Sequence, residues 1–249
     1  DWSRPEAVGA VDPIDTGVRD AARSAAGRIV VCGLDTGVSG GSLSFTDDNG
    51  GSWTAGGGGS GLNLHRIVYS GKEDRFITSL ADTDEVMLSD DGTATGAAFP
   101  STGLANGEDT NGLAVLNSGD PGEVVVITGS FTGFPGRPAM RVSADGGATW
   151  GGGAIQSNGV YADIGALAGN GGPLAYWAGV LADGSELKAF TTADGQSLTL
   201  SKTLLPPGDA TMLRSSAGVD LDVAELTGMA VERRADGVAL LDVSGMFSD

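Results

Sequence analysis

The chain has 249 residues, of which 40% are hydrophobic and 43 are glycine, and its 32 acidic against 14 basic side chains give a formal net charge of −18. That charge repels phosphate backbones and anionic lipid surfaces, which excludes nucleic acid as a direct partner. No apolar run reaches the ~18 residues of a membrane span, so no membrane insertion is expected.

Residues 1–16 are punctuated by Pro and Asp and read as irregular. No signal-peptide pattern opens them, and a start at Asp1-Trp2 without Met fits a processed product. Residues 18–26 are open between a short helix and a strand. Residues 28–33 are a strand that buries Cys32, the single cysteine, so neither an intrachain disulfide nor a Cys-based metal site is available. Residues 42–46 are a second strand. The glycine run 56–61 reads as a loop between repeats, because strand-like sequence resumes at 62–69. Segments 75–80 and 85–89 are short strands. A long polar loop, 99–111, precedes strand 113–116. Residues 123–128 form the strongest strand in the chain, followed by 139–142. Residues 151–159 read as a loop, 161–164 as a half-alternating strand, and 174–181 and 186–192 as further strands. Residues 201–220, with Pro206 and Pro207, read as a long loop, and strands 223–231 and 238–243 end the chain. His65 is the sole histidine, which leaves no multi-His metal site and no serine-hydrolase triad. Its place inside a strand suggests packing or a surface position.

The stretch Ser143-Ala144-Asp145-Gly146-Gly147-Ala148-Thr149-Trp150 carries a specific turn chemistry. Asp145 can accept hydrogen bonds from amides two or three residues ahead. Gly146 and Gly147 tolerate positive φ. Ser143 adds a short-range acceptor, Thr149 resumes the strand, and Trp150 offers a large ring to bury between sheets. The same frame recurs at Thr46, Asp48, Gly50, Ser52 and Trp53, and in worn form around Asp91 and Asp194. The spacing of Asp48, Asp91, Asp145 and Asp194 is close to the ~40–50 residues of a four-stranded repeat.

This motif resembles the Asp-box, or BNR repeat, of sialidase-like β-propellers. The resemblance implies an all-β fold: a β-propeller of about five four-stranded blades with Asp-box turns, residues 1–249 forming one domain. The N-terminal segment around Trp2 to Val18 is available to close the ring. The boxes would join the third and outermost strands of each blade and share one face of the disc. The loops between blades, and those joining second and third strands, would form the opposite, functional face. Sialidases of this family use three arginines, a Tyr/Glu pair and an acid–base Asp. The corresponding candidates are Arg66, Arg137 and Arg214 with Tyr161 and Asp109, but the early Arg-Ile-Pro signature is absent. Glu108 and Asp109 are a carboxylate pair on the same face, open to glycosidase chemistry or to weak Ca²⁺ binding, although no EF-hand pattern is present. No other cofactor is expected. No residue is assigned a catalytic role; Arg66, Glu108, Asp109, Arg137 and Arg214 are candidate ligand-binding residues. The expectation is a non-catalytic binding or assembly module on an extracellular surface or virion-like particle, contacting glycans or neighbouring subunits. The alternative is a sialidase-like glycoside hydrolase.

Overall fold

A computed structural model describes residues 18–33, 43–57, 64–80, 86–93, 109–130, 139–155, 161–163, 167–169, 171–181, 187–205, 222–233 and 239–248. Among these residues the chain is all β, and its strands form five antiparallel sheets in chain order. The first holds β1 (Val18–Arg23), β2 (Ile29–Gly33), β3 (Leu43–Thr46) and β4 (Thr54–Gly57). The second holds β5 (Leu64–Ser70), β6 (Arg75–Leu80) and β7 (Val86–Ser89). The third holds β8 (Asp109–Leu116), β9 (Val124–Ser130), β10 (Ala139–Ser143) and β11 (Gly151–Ile155). In the fourth, β12 (Tyr161–Asp163) and β13 (Leu167–Gly169) both pair with β14 (Ala175–Leu181), followed by β15 (Leu187–Thr192) and β16 (Thr199–Leu205). The fifth is the pair β17 (Asp222–Arg233) and β18 (Ala239–Ser248).

Within each sheet, strands adjacent in sequence are adjacent in space, except that β12 and β13 both pair with β14, and successive sheets meet through the series β1, β5, β8, β13, β17. This is a propeller-like arrangement, with the first strands innermost. Sheets of three to five strands cannot bury two apolar faces alone; the neighbouring sheet supplies the cover.

The cores lie between sheets. Val30, Cys32 and Leu43 of the first sheet meet Leu64, Ile67 and Phe76 of the second. Ile77 and Val86 of the second meet Leu113, Val115, Ile127 and Trp150 of the third. Leu116, Val126 and Met140 of the third meet Ala175 and Phe190 of the fourth. Alternate residues of one strand therefore feed opposite cores, as a period of two requires. Val125 and Ile127 face the second sheet while Val126 faces the fourth. Burial on both faces is why 123–128 reads as a continuous apolar run.

The open segment 18–26 is a strand, β1, with a tight turn after it. Four loop expectations are corrected. Gly56 and Gly57 belong to β4, residues 151–155 form β11, β8 begins at Asp109, and β16 runs to Leu205. Two of these, β4 and β11, are outermost strands made largely of glycine, held by the ladder on one edge. Their glycines leave no periodic signal in the sequence. A further strand, β13, was not anticipated.

The two tryptophans of the complete boxes differ. Trp150 is buried against the preceding sheet. Trp53 is half-buried. Trp150→Ala is expected to lower stability in urea unfolding by about 3–5 kcal/mol, the range for an aromatic deleted from a core, and Trp53→Ala by clearly less. Equal losses would show that the two rings are buried alike.

Candidate functional site

Two ends of the sheets have to be distinguished. The turns joining first to second strands, and the box turns joining third to fourth, lie on one face, because antiparallel strands return the chain to the same end at every second connection. The box turns join β3 to β4, β10 to β11 and β15 to β16, as the resemblance implied.

The complete boxes use their carboxylates in the same way. Asp48 Oδ1 accepts from the Ser52 amide at 2.8 Å, and Oδ2 from the Ser52 hydroxyl at 2.6 Å. The Thr46 hydroxyl donates to Asp48 Oδ1 at 2.6 Å and itself accepts from the Gly50 amide at 3.0 Å. In the other box, Asp145 accepts from the Thr149 amide and hydroxyl at 2.9 and 2.6 Å. Ser143 donates to Asp145 at 2.7 Å and accepts from the Gly147 amide at 2.8 Å. The amide reached is four residues ahead, further than the two or three expected. The worn boxes keep the shorter reach: Asp91 accepts from the Thr93 amide at 2.8 Å, and Asp194 from those of Gln196 and Ser197 at 2.8 and 2.9 Å. Gly147, at φ +86°, lies so close to Leu88 and Ile77 that a Cβ would meet them at 3.0 and 3.2 Å. The turn is thus pressed onto the preceding sheet.

Other bonds stitch this face together. The Arg28 guanidinium chelates Asp47 at 2.7 and 2.9 Å, donates to the Asp91 carbonyl at 2.7 Å and stacks over Phe45 at 4.3 Å, linking the first two box turns. The buried carboxylate of Glu123 accepts from the Ser70 hydroxyl and from the amides of Lys72 and Gly119, at 3.0 and 2.7 Å for the amides, joining the second sheet to the third. The amides of Asn117 and Ser118 donate to the carbonyls of Gly172 and Gly171, joining the third to the fourth. The aspartates and turns of this face are consumed in holding the scaffold.

At the opposite end the inner strands share a feature that the sequence did not reveal. The strand that opens each sheet carries an extra residue near its start, and β17 carries a second at Thr227. The extra residues are Arg19 in β1, His65 in β5, Asn111 in β8, Ala162 in β12 and Ala224 in β17. A β-bulge of this kind re-aims side chains and bends the strand. Its repetition on the strand that opens each of the five sheets marks this end as a rim.

On the first two strands of that rim four titratable groups gather. Asp20 is half-buried and follows the β1 bulge. Its Oδ2 accepts from the Ile67 amide of β5 at 3.0 Å and its Oδ1 from the Ala21 amide at 2.9 Å. Asp20 therefore sits beside His65 and Arg66, the bulge pair of β5. Burial raises its carboxyl above the usual range, against the pull of the two amides and of the Arg66 and His65 charges. Cys32, paired across from Asp20, is fully buried, and burial pushes its thiol upward, which makes it a packing group and no nucleophile.

Of the residues expected at a site, Arg66 lies on this rim. Asp109 and Tyr161 are the first residues of β8 and β12, the strands that open the third and fourth sheets. Glu108, Arg137 and Arg214 lie outside the described residues. Arg19, Asp20 and His65 were missed as site residues, because a bulge is a mismatch between two strands and neither strand shows it alone. Among the described residues no cluster of His, Cys, Asp and Glu is arranged to hold a metal ion, and no helix is long and apolar enough to cross a membrane.

No protein-family model matches the chain, and no curated protein matches it. Solved structures do resemble it. A chain of a nidogen–laminin complex superposes with a TM-score of 0.56 at 12% identity, covering 92% of this chain and 72% of that one. A protein from Lactobacillus plantarum gives 0.52 at 12% identity, with 92% and 64% covered. The NanB sialidase from Streptococcus pneumoniae gives 0.50 at 12% identity, with 83% of this chain covered and 32% of the enzyme. This chain thus spans about a third of that sialidase. At such identities the likeness is one of fold, and it agrees with the propeller-like reading drawn from the boxes.

The site and the turns respond oppositely to acid. Asp48 is held well below the usual carboxylate range by the Ser52 and Thr46 hydroxyls and the Ser52 amide. Asp91 is lowered, chiefly by the Thr93 hydroxyl. In Asp145 and Asp194 burial pulls upward, and the hydrogen bonds of Thr149 and of Gln196 and Ser197 outweigh it. Lowered groups contribute stability that is present above the unfolded value near ~3.9 and lost as pH falls through their folded values. Asp20, being raised, contributes below that value and loses its contribution as pH rises through its folded one. Asp145→Asn is expected to be less stable than wild type at neutral pH and to lose less on further acidification below about pH 4. Melting curves against pH check this, and an unchanged acid slope would remove Asp145 from the acid-sensitive set.

Proposed function

We propose that the chain is a non-catalytic binding or assembly module. In this reading it is a propeller of about five blades, closed by its N-terminal segment, that works on an extracellular surface or virion-like particle and contacts glycans or neighbouring subunits. The observation that carries the reading is the division of labour between the two ends. The box face spends its carboxylates and turns on internal bonds, whereas the rim brings Arg19, Asp20, His65 and Arg66 together on two adjacent inner strands. Such a mixed-charge group suits recognition of a polar partner. The similar fold within a nidogen–laminin complex supports the assembly side of the reading, since that structure is of two proteins bound together.

The second reading, a sialidase-like glycoside hydrolase, is favoured by one observation. Arg66, Asp109 and Tyr161 lie near the starts of β5, β8 and β12, which open three successive sheets, and the fold is similar to that of a sialidase. A three-arginine carboxylate clamp would need two further arginines at the same end.

A glycan array run beside a fluorogenic glycoside screen separates the two. Retention of a glycan without turnover is the expected result. Release of fluorophore that is lost in Arg66→Gln would establish the hydrolase instead. No signal in either assay would leave assembly with other subunits as the role, to be read by co-sedimentation with the particle or surface that carries the protein.

A further inference from the structure

We infer that Asn49–Gly50, in the first box turn, is a site of self-modification: the pair cyclises with loss of ammonia, the folded turn holds that reaction back, and the isoaspartyl link it leaves bars the turn from re-forming. The inference is independent of what the rim binds.

The position differs from its counterparts in the other boxes. Aligned on the box aspartates, the residue after Asp48 is Asn49, whereas the other three turns place Gly92, Gly146 and Gly195 there. All four stand in the left-handed region, Asn49 at φ +57° and the glycines at +76°, +64° and +65°. Asparagine is among the few side chains that tolerate this conformation, so the turn still forms. It forms with an uncharged carboxamide beside the amide of Gly50, a residue with no Cβ to obstruct an approach. The aspartates that precede the other three glycines offer an ionised carboxylate instead, which is a poor electrophile. Asn49 is exposed, so water and base reach it.

The reaction consumes only water. The Gly50 nitrogen, on losing its proton to base, bonds to Asn49 Cγ. The Cγ–Nδ2 bond breaks, and ammonia leaves with a proton taken from solvent. Water then opens the cyclic imide at either carbonyl. Opening at Cγ leaves an aspartyl residue. Opening at the α-carbonyl leaves an isoaspartyl one, in which the main chain runs through the former side chain and is longer by one methylene.

Two bonds of the folded turn oppose the first step. The Gly50 amide donates to the Thr46 hydroxyl at 3.0 Å, so the attacking nitrogen is occupied. Arg23 donates from Nη2 to Asn49 Oδ1 at 3.3 Å, which holds the carboxamide toward β1. Local opening of the turn releases both groups together. Once the isoaspartyl link is made, the added backbone atom moves Gly50 off the Thr46 hydroxyl, and the corner that returns the chain to β3 is lost. Among the described residues β4 pairs with β3 alone, so β4 is the strand that detaches.

Tryptic cleavage after Arg28 and Arg66 isolates a segment that holds this Asn-Gly pair and none of those at 106, 111, 158 and 170. The full chain is aged in mildly alkaline buffer, folded and in urea, and conversion at Asn49 is followed by mass and by isoaspartyl-specific methyl transfer. Conversion is expected in both, at least about tenfold slower in the folded chain. Arg23→Gln is expected to raise the folded rate about threefold, by freeing the carboxamide. Asn49→Gly, which matches the other boxes, should abolish conversion in this segment. After removal of urea the aged wild type should exchange its β4 amides faster than fresh chain taken through the same steps, whereas aged Asn49→Gly keeps their protection. Equal rates folded and in urea, no conversion in urea, or an isoaspartyl-bearing chain with β4 protected as in fresh protein would overturn the inference; all of these are read on the wild-type chain. An Arg23→Gln chain that converts at the wild-type folded rate would overturn the part given to Arg23.

Discussion

Everything in this molecule hangs on a carboxylate turned back onto its own corner. In each complete box one aspartate satisfies the amide and hydroxyl of the residue four ahead, while the Ser or Thr two residues before it bridges to the next amide. That corner fixes where the third strand ends and the outermost strand begins. It also sets the direction in which the following tryptophan leaves the turn. The outermost strands β4 and β11 are glycine-rich and held on one edge, and the corner is what brings them back onto the sheet.

The second constraint is mutual cover. A sheet of three or four strands has two apolar faces and no third layer to hide them. Successive sheets solve this by sharing cores, with Val125 and Ile127 serving one neighbour and Val126 the other. The box turns are part of the same solution, since Gly147 rests on the preceding sheet at a separation that leaves no room for a side chain. Arg28 and Glu123 then satisfy polar groups that the close approach of turns would otherwise strand. A buried carboxylate such as Glu123 is tolerated because it is fully met by donors from two sheets.

With the turns of one end bonded to one another, the other end is where the strands that open each sheet depart from ladder regularity. The bulges on the inner strands are the structural sign of this, for a bulge gives up ladder regularity and is worth keeping where a side chain has to be re-aimed. Their recurrence on all five first strands also argues that the sheets are copies of one unit, since independent strands would have no reason to depart from regularity at the same place. The residues at that level of the register differ from copy to copy: Arg19 and Asp20, His65 and Arg66, Asn111, Ala162, Ala224. A repeated frame with unlike residues at one level is a means of building an asymmetric site on a symmetric scaffold.

Much of the fold was legible in the chain itself. The box motif is local: its aspartate, hydroxyl and glycine interact within a few residues, so their spacing alone announces the corner, and apolar strands buried on both faces, such as 123–128, announce themselves by composition. Two things were settled only when the chain was folded. The glycine strands β4 and β11 exist because a neighbour's ladder captures them, and nothing in Thr-Ala-Gly-Gly or Gly-Gly-Gly-Ala-Ile distinguishes such a strand from a loop. The rim was hidden for a related reason. Arg66 could be picked out as a charged residue, but Asp20 and His65 became its companions through strand register and through a bond spanning 47 residues, and register belongs to pairs of strands, which no single stretch of sequence contains.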